Sequence, residues 1–316
     1  GAGEAVSYCD ANVPQGWVGN NDDSQPDCTT NDTDTCGICA GDNSPNTGTC
    51  DCDGVPDGTA EFADYWPDND GDGLGFGSAV DYSLSFDGND DYVNINDLAT
   101  GGELTNGMAF TFNTWFLTDG TLESNLYHSI IFSMHTSGDA NRFRIGLDRT
   151  QNSGSIFYSD EVIGDHAIGS GNWNDQVWHH LAITRPAGSG GQLLTAYIDG
   201  EEVGTLSNAD PDFNTASKSS IAMEYDGGNT PTDHWSGKLD EMMVWNYEMT
   251  QEEIQSYIST LPTGNESGLV AYYNFNEGSG STTIDLSGNG NDGTIIGGAT
   301  YIENEGGGTG NQYVTS

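Results

Sequence analysis

From Asp81 onward the chain is written in short alternating runs separated by Gly, Asn and Asp, and this period of two most restricts its fold. Successive side chains on a strand point to opposite faces, so apolar residues at every second position read as a strand with one buried face. Such runs occupy residues 83–86, 92–95, 109–116, 142–147, 155–158, 179–184, 193–198 and 241–245. Asp199-Gly200, directly after Tyr197-Ile198, is a two-residue hairpin signal. One segment has a helical pattern. Thr250 and Glu253 form a capping box ahead of Ile254, Tyr257, Ile258 and Leu261, and Pro262 and Gly264 end the helix. Many short strands with little helix specify an all-β fold, two antiparallel sheets packed as a jelly-roll sandwich.

Charge excludes several function classes. The chain carries 49 acidic and 6 basic side chains, a formal charge of −43. No nucleic-acid partner is expected, because such a partner needs a basic footprint. Docking to anionic lipid is disfavoured for the same reason. Self-repulsion of this size works against a compact state unless bound cations offset it, which points to salty, calcium-containing surroundings outside a cell. No apolar run approaches the length of a membrane span, so no membrane insertion is expected. No signal peptide is visible, and the expectation is that one has been removed.

The six cysteines, Cys9, Cys28, Cys36, Cys39, Cys50 and Cys52, all lie early. Residues 1–80 hold too few apolar residues for a core of their own, and their even cysteine count reads as three disulfides with fifteen possible pairings. Zinc held by Cys36, Cys39, Cys50 and Cys52 is the rival reading, disfavoured because only Asp51 separates the second pair. Disulfides place the chain in an oxidising compartment, hence secreted or at a cell surface.

Within this segment Asp68-Asn69-Asp70-Gly71-Asp72-Gly73 sets three carboxylates at a spacing of two. Like charges that close need a counter-ion, and Ca2+ takes six to eight oxygens from flexible acidic loops. Position twelve of an EF-hand would be Ala79, so the loop is not that hand. Asp53 and Asp57, in Asp51-x-Asp53-Gly54-x-x-Asp57-Gly58, offer a second calcium loop. Cys36-Gly37-Ile38-Cys39-Ala40-Gly41-Asp42-Asn43 resembles short Cys-Gly-x-Cys-x-Gly-Asp repeats of secreted bacterial surface proteins. Residues 65–73 resemble a thrombospondin type 3 calcium repeat.

The longer segment, residues 81–303, resembles laminin G-like, concanavalin A-like jelly rolls. The resemblance rests on Ser83-Leu84-Ser85-Phe86-Asp87-Gly88-Asn89-Asp90-Asp91-Tyr92-Val93, Trp178-His179-His180-Leu181-Ala182-Ile183-Thr184 and Ala196-Tyr197-Ile198-Asp199-Gly200. Gly237-Lys238-Leu239-Asp240-Glu241-Met242-Met243-Val244-Trp245-Asn246 follows, and then closing segments at 268–277 and 285–294, in family order. It implies a secreted binding or adhesion module, often with one structural calcium at a sheet edge. Asp240 is the leading ligand, with Asp87 and Asp90 completing the site. His179 and His180 alternate in facing, so one packed and one exposed imidazole are expected.

An enzyme is not expected. Glycoside hydrolysis needs two carboxylates flanking the bond, and the Glu-x-Asp-x-x-Glu run of laminarinase-like relatives is absent. Asp240 and Glu241 are adjacent and should face opposite sides of a strand. The function expected is calcium-dependent adhesion, or assembly of an extracellular array or filament. A carbohydrate-binding lectin is the alternative, with a glycan, a protein surface or further copies of the chain as partner. Assembly would use the Gly-rich tail, residues 304–316, whose Gln312-Tyr313-Val314-Thr315 suits a strand donated to a neighbouring copy's sheet edge. A tail folded back on its own domain is the other possibility.

Overall fold

The structure is a computed structural model, and it describes residues 8–9, 62–63, 81–120, 128–136, 143–148, 154–226 and 230–304. The chain divides into two units, 1–78 and 79–316. In the first, β1 (Tyr8–Cys9) pairs antiparallel with β2 (Phe62–Ala63). The calcium loops around Asp53, Asp57, Asp68, Asp70 and Asp72 lie outside the described residues. So do the tail beyond Asn304 and every cysteine but Cys9.

The second unit is a sandwich of two eight-stranded sheets in which every strand pair is antiparallel. The elements in chain order are β3 (Tyr82–Asp87), β4 (Tyr92–Asn94), α1 (Asn96–Thr100), β5 (Phe110–Thr118), β6 (His128–His135), β7 (Phe143–Asp148), β8 (Ile156–Asp160) and β9 (Gly164–Ile168). Then come β10 (His179–Arg185), β11 (Gln192–Ile198), β12 (Glu201–Ala209), β13 (Lys218–Ile221), β14 (Glu224–Asp226), β15 (Thr230–Thr232) and β16 (Ser236–Trp245). The last are α2 (Gln251–Ser259), β17 (Leu269–Tyr273), β18 (Thr282–Thr283), β19 (Gly293–Ile296) and β20 (Thr300–Glu303). The first sheet runs β12-β11-β10-β5-β16-β3-β20, with β17 continuing the β3 edge of β16. The second runs β18-β19-β4-β13-β6-β7-β8-β9, and β14 and β15 form a separate hairpin.

The core lies between the sheets. Phe110, Phe112 and Phe116 of β5 and Leu181 and Ile183 of β10 join Phe132, Phe143, Ile145 and Tyr158 of the second sheet in one buried cluster. Phe112 stacks on Phe132 with centroids 5.2 Å apart. A smaller cluster, including Met243, Trp245, Ile254 and Tyr272, fixes α2 to the chain. The capping box forms as the sequence implies: Glu253 N–H donates to Thr250 Oγ1 and Thr250 N–H to Glu253 Oε2, at 3.3 and 2.8 Å. Asp199 and Gly200 both have positive φ, 52° and 80°, as the hairpin β11–β12 requires. Contrary to the half-buried pattern expected, β10 is buried at every position, and so is β6, which the alternating runs do not include. Their polar residues lie under cover rather than in water. Among the described residues no helix is long and apolar enough to cross a membrane.

Candidate functional site

Strand register builds a charged groove on the face of the second sheet turned away from the core. Arg144 of β7 stands opposite Ser133 of β6 and Ser159 of β8, and Ser159 stands opposite Asp165 of β9. These four side chains form one row. Gly146, Phe157 and Ala167 form the next, where a Cβ on Gly146 would stand 2.1 Å from the Ser129 carbonyl oxygen. That position must stay bare for β6 and β7 to pair there. The β14–β15 hairpin brings in Glu224 and Asp226, and Asp233 follows it. Together with His128, Asp148 and His166 they line a cavity of about 390 Å³.

Arg144 is the hub. Its Nη1 donates to both carboxylate oxygens of Glu224, at 2.7 and 2.8 Å. Its Nη2 donates to Ser159 Oγ at 3.0 Å and to Asp165. The His128 ring stacks on Phe157 with centroids 3.8 Å apart, and the Arg144 guanidinium carbon lies 5.3 Å from the same ring's centroid. A hydrogen bond with His128 first, and then the charge of Arg144, hold the Asp165 carboxyl well below the usual range despite partial burial. Burial pushes Glu224 up to about 8 against the pull of Arg144, and burial raises Asp233 as well. Glu224 and Asp233 also hydrogen-bond each other, so their titrations are linked. Asp233 is held at φ 50° while its carbonyl accepts the Ile130 N–H at 3.0 Å. A left-handed non-glycine residue of this kind often marks a functional position.

The early hairpin gathers a second set of groups. Carboxylate oxygens of Asp87, Asp90 and Asp91 lie within 4.8 Å of one another, with Asp87 and Asp90 exposed and Asp91 buried. Asp91 Oδ2 accepts the Asp87 N–H at 3.0 Å, and Asp87 Oδ1 accepts the Asn89 N–H at 2.9 Å. Hydrogen bonds with Asn89 lower the Asp87 carboxyl. Burial first, and the charges of Asp87 and Asp90, raise that of Asp91. Hard oxygens converging on one point suit Ca2+. Thus Asp87 and Asp90 come together, and Asp91, unremarked in the sequence, joins them because the turn brings it round. Asp240 does not. Ser236 is the β16 residue opposite Asp87, and Asp240 sits four residues further along, about 13 Å at the usual rise per residue. Asp240 is buried, accepting the Glu241 N–H at 2.8 Å and Asn304 Nδ2 at 3.0 Å.

Beside it the strand alternation is interrupted. Between Asp240 and Met243 the register slips against β5, and Glu241 takes φ 49°. The two adjacent carboxyls have different partners, Asn304 for Asp240 and Tyr272 for Glu241. Tyr272 donates to Glu241 Oε2 at 2.5 Å. Both histidines of β10 are buried, where one exposed imidazole is the sequence expectation. His179 Nδ1 lies 2.8 Å from Asp199, and its Nε2 lies 3.3 Å from Asp175. Burial lowers its pKa, but these two carboxylates more than offset that and leave it raised. Full burial pushes His180 down to about 4. Trp115, Trp235 and Trp245 are buried, and none offers an open stacking platform.

The fold is a sandwich of the lectin type. The model of the concanavalin A-like lectin/glucanases superfamily, in its laminin G branch, matches residues 87–255, and the chain belongs to that family. A rat protein with sushi, von Willebrand factor type A, EGF and pentraxin domains is 28% identical over 121 residues, which is 36% of this chain and 3% of that one. Among solved structures, a presumed carbohydrate binding protein from Bacteroides ovatus ATCC 8483 is similar at TM-score 0.53 and 17% identity, over 72% of this chain and 61% of that one. The heptameric SAP-like pentraxin of Limulus polyphemus is similar at TM-score 0.42 and 16% identity, over 75% and 99%. The chain therefore spans a small part of the rat protein and under two thirds of the Bacteroides one.

Proposed function

We propose that this chain is a secreted, calcium-binding surface module that serves adhesion by holding a glycan in the groove over the second sheet. The observation that carries this reading is the convergence of Arg144, His128, Glu224, Asp165 and Asp233 on one concave surface. Hydroxyl-rich ligands are bound through many directional hydrogen bonds, and the carboxylates, imidazoles and guanidinium here supply both acceptors and donors. Among the described residues the groove has five carboxyl groups against one arginine, an excess of acid that disfavours sialylated or sulfated glycans and suits a neutral or basic ligand. The resemblance to a presumed carbohydrate binding protein is compatible with this reading but extends only to fold. Calcium belongs at Asp87, Asp90 and Asp91, and in the acidic N-terminal segment, where it offsets the chain's charge. No reaction is assigned to the groove.

The test is a glycan array spanning neutral, basic and anionic structures, read with the intact chain and with the double variant Asp226→Asn/His166→Ala, whose residues line the groove. Hits abolished by the variant support the reading. Hits that persist move the glycan site elsewhere. No hits on any class would favour a protein ligand, as the adhesion or assembly readings require.

A further inference from the structure

Glu224 and Asp233 are held against each other from both sides. The Glu224 side chain is 2% exposed, and Arg144 Nη1 donates to both of its oxygens, at 2.7 and 2.8 Å. Asp233 is fixed through its backbone. Its carbonyl accepts the Ile130 N–H at 3.0 Å, and the N–H of fully buried Trp235, two residues on, donates to the Ala222 carbonyl at 2.8 Å. Neither carboxyl is free to back away, and the two hydrogen-bond each other. An ionised carboxylate only accepts hydrogen bonds, so two carboxyls in such contact need a proton on one of them. The charge count agrees. Arg144 is one cation, and it serves Asp165 as well as Glu224. Three carboxyls on one guanidinium leave a surplus of negative charge where Glu224 and Asp233 meet.

Other charged groups face the pair from the neighbouring elements. His128 comes from β6, Asp148 from β7, and His166 from β9 beside Asp165, while Asp226 shares β14 with Glu224. Around Tyr225, the next residue of β14, Lys218 lies 4.2 Å from the ring centre and His135 Nε2 lies 3.3 Å from the backbone nitrogen. His234, next to Asp233, is turned to the Asp91 carbonyl at 3.1 Å. We propose that the Glu224–Asp233 contact is a proton-held clasp, which keeps the wall carrying Glu224 against Arg144 and so makes the shape of the groove depend on pH. This names the regulation of the site and rests on the groove reading above for its use in binding. Burial is the largest influence on both carboxyls, pushing Glu224 up to about 8 and raising Asp233. In the opened chain Glu224 titrates near 4.5. The clasp is therefore at full strength below pH 4.5 and weakens as pH rises to about 8. A ligand shaped to the assembled groove binds more weakly over the same range.

The test needs no ligand, so a blank glycan array does not decide it. Carbon-13 NMR of the intact chain, labelled at the Asp and Glu carboxyl carbons, follows both groups across pH at fixed calcium. Glu224→Gln and Asp233→Asn assign the two signals. Glu224 should titrate at least about two units above its ordinary value. Asp233→Asn, whose side chain tolerates the left-handed backbone, should bring it down by at least about one unit. A Glu224 midpoint within about one unit of the ordinary value, or one that ignores Asp233→Asn, would overturn the clasp. Amide hydrogen exchange reads the opening. Against Glu224→Gln, whose amide oxygen still accepts from Arg144 but which cannot titrate, the wild-type chain should open about tenfold more readily per pH unit between pH 5 and pH 7, at Ile130 and Tyr225. Chemical exchange rates cancel in that ratio. The Asn246 N–H, which donates to the Gly268 carbonyl at 2.9 Å beside the first sheet, is the reference and should not change. An equal change at Asn246 would make the effect one of global stability and overturn the clasp, and so would no change at Ile130. Should circular dichroism show Glu224→Gln unfolded, Asp233→Asn takes its place, and a wild-type pH dependence no steeper than that variant's would overturn the clasp.

Discussion

Replacing Glu241 with Gln should stabilise the protein, and by an amount that grows with pH. Glu241 is 3% exposed on the bulge of β16, and its carboxyl accepts from the Tyr272 hydroxyl. Burial pushes its carboxyl up to about 8, the Tyr272 bond pulls the other way, and Asp81 adds repulsion. In the unfolded chain the same group titrates near 4.5. The folded state therefore binds the proton more tightly than the unfolded one. That contribution is fully present below pH 4.5 and is lost as pH rises to about 8. Each unit of difference is worth about 1.4 kcal/mol, so the whole loss approaches about 5 kcal/mol, about half of it between pH 5 and pH 7.

Gln keeps the shape and the oxygen that accepts from Tyr272, and it does not titrate. Glu241→Gln should thus gain about 2–3 kcal/mol on wild type between pH 5 and pH 7. For a domain of this size that corresponds to a rise of about 5–10 °C in melting temperature. Urea unfolding of both proteins at pH 5, 6, 7 and 8 measures it, and other titrating groups cancel in the comparison. A stability difference that stays flat over this range would refute the reasoning, because it would mean that Glu241 ionises without penalty in the folded protein.

Arg185, which is 1% exposed and donates to the carbonyls of Ala209, Met108, Pro186, Gly188 and Gly190, should cost about 3–5 kcal/mol on replacement by Met, measured by urea unfolding. Calcium should raise the melting temperature and excess chelator lower it, with Asp90→Asn blunting the response of the sandwich; an identical profile in both conditions would exclude a stabilising ion. The cysteines should appear as three disulfides by intact mass before and after reduction and alkylation, and six free thiols or bound zinc would contradict the oxidising compartment. A chain ending at Glu303 should assemble less readily by light scattering if the tail is a donated strand; equal behaviour of the two chains would leave β20 as an ordinary sheet edge.

The strands were legible because alternation is local. Ser83 to Phe86, Phe110 to Phe116 and His179 to Thr184 read correctly from period alone, and the α2 cap from Thr250 and Glu253. What the sequence hid is set by distant partners. β14 and β15 are three residues each, too short for a period to show, yet they carry the groove's Glu224. Arg144 reads as one polar position in an ordinary strand. Its role depends on Ser159, Asp165 and Glu224, which register and the hairpin bring to it from 15, 21 and 80 residues away. Glu241 shows the limit of the alternation rule itself. One extra residue against β5 interrupts the alternation of β16, and nothing in Leu-Asp-Glu-Met announces a bulge.

The chain's few cations show what its surface is for. Only 6 of its residues are basic, and of the four that are described, Arg144 and Arg185 are buried. Arg185 serves carbonyls and Asp210 at 3.0 Å, and Arg144 serves Glu224, Asp165 and Ser159. Lys218 lies 4.2 Å from the centre of the Tyr225 ring. Little positive charge is left to soften the field outside, so approach is decided at long range by sign. On the proposed reading, anionic ligands are repelled before any contact forms, neutral ligands are chosen by hydrogen bonds inside the groove, and cations are drawn to it from solution. Such a surface gives steep salt dependence to any basic ligand and little to a neutral one. That slope, measured for whatever binds, tells whether the field or the groove's hydrogen bonds do the selecting.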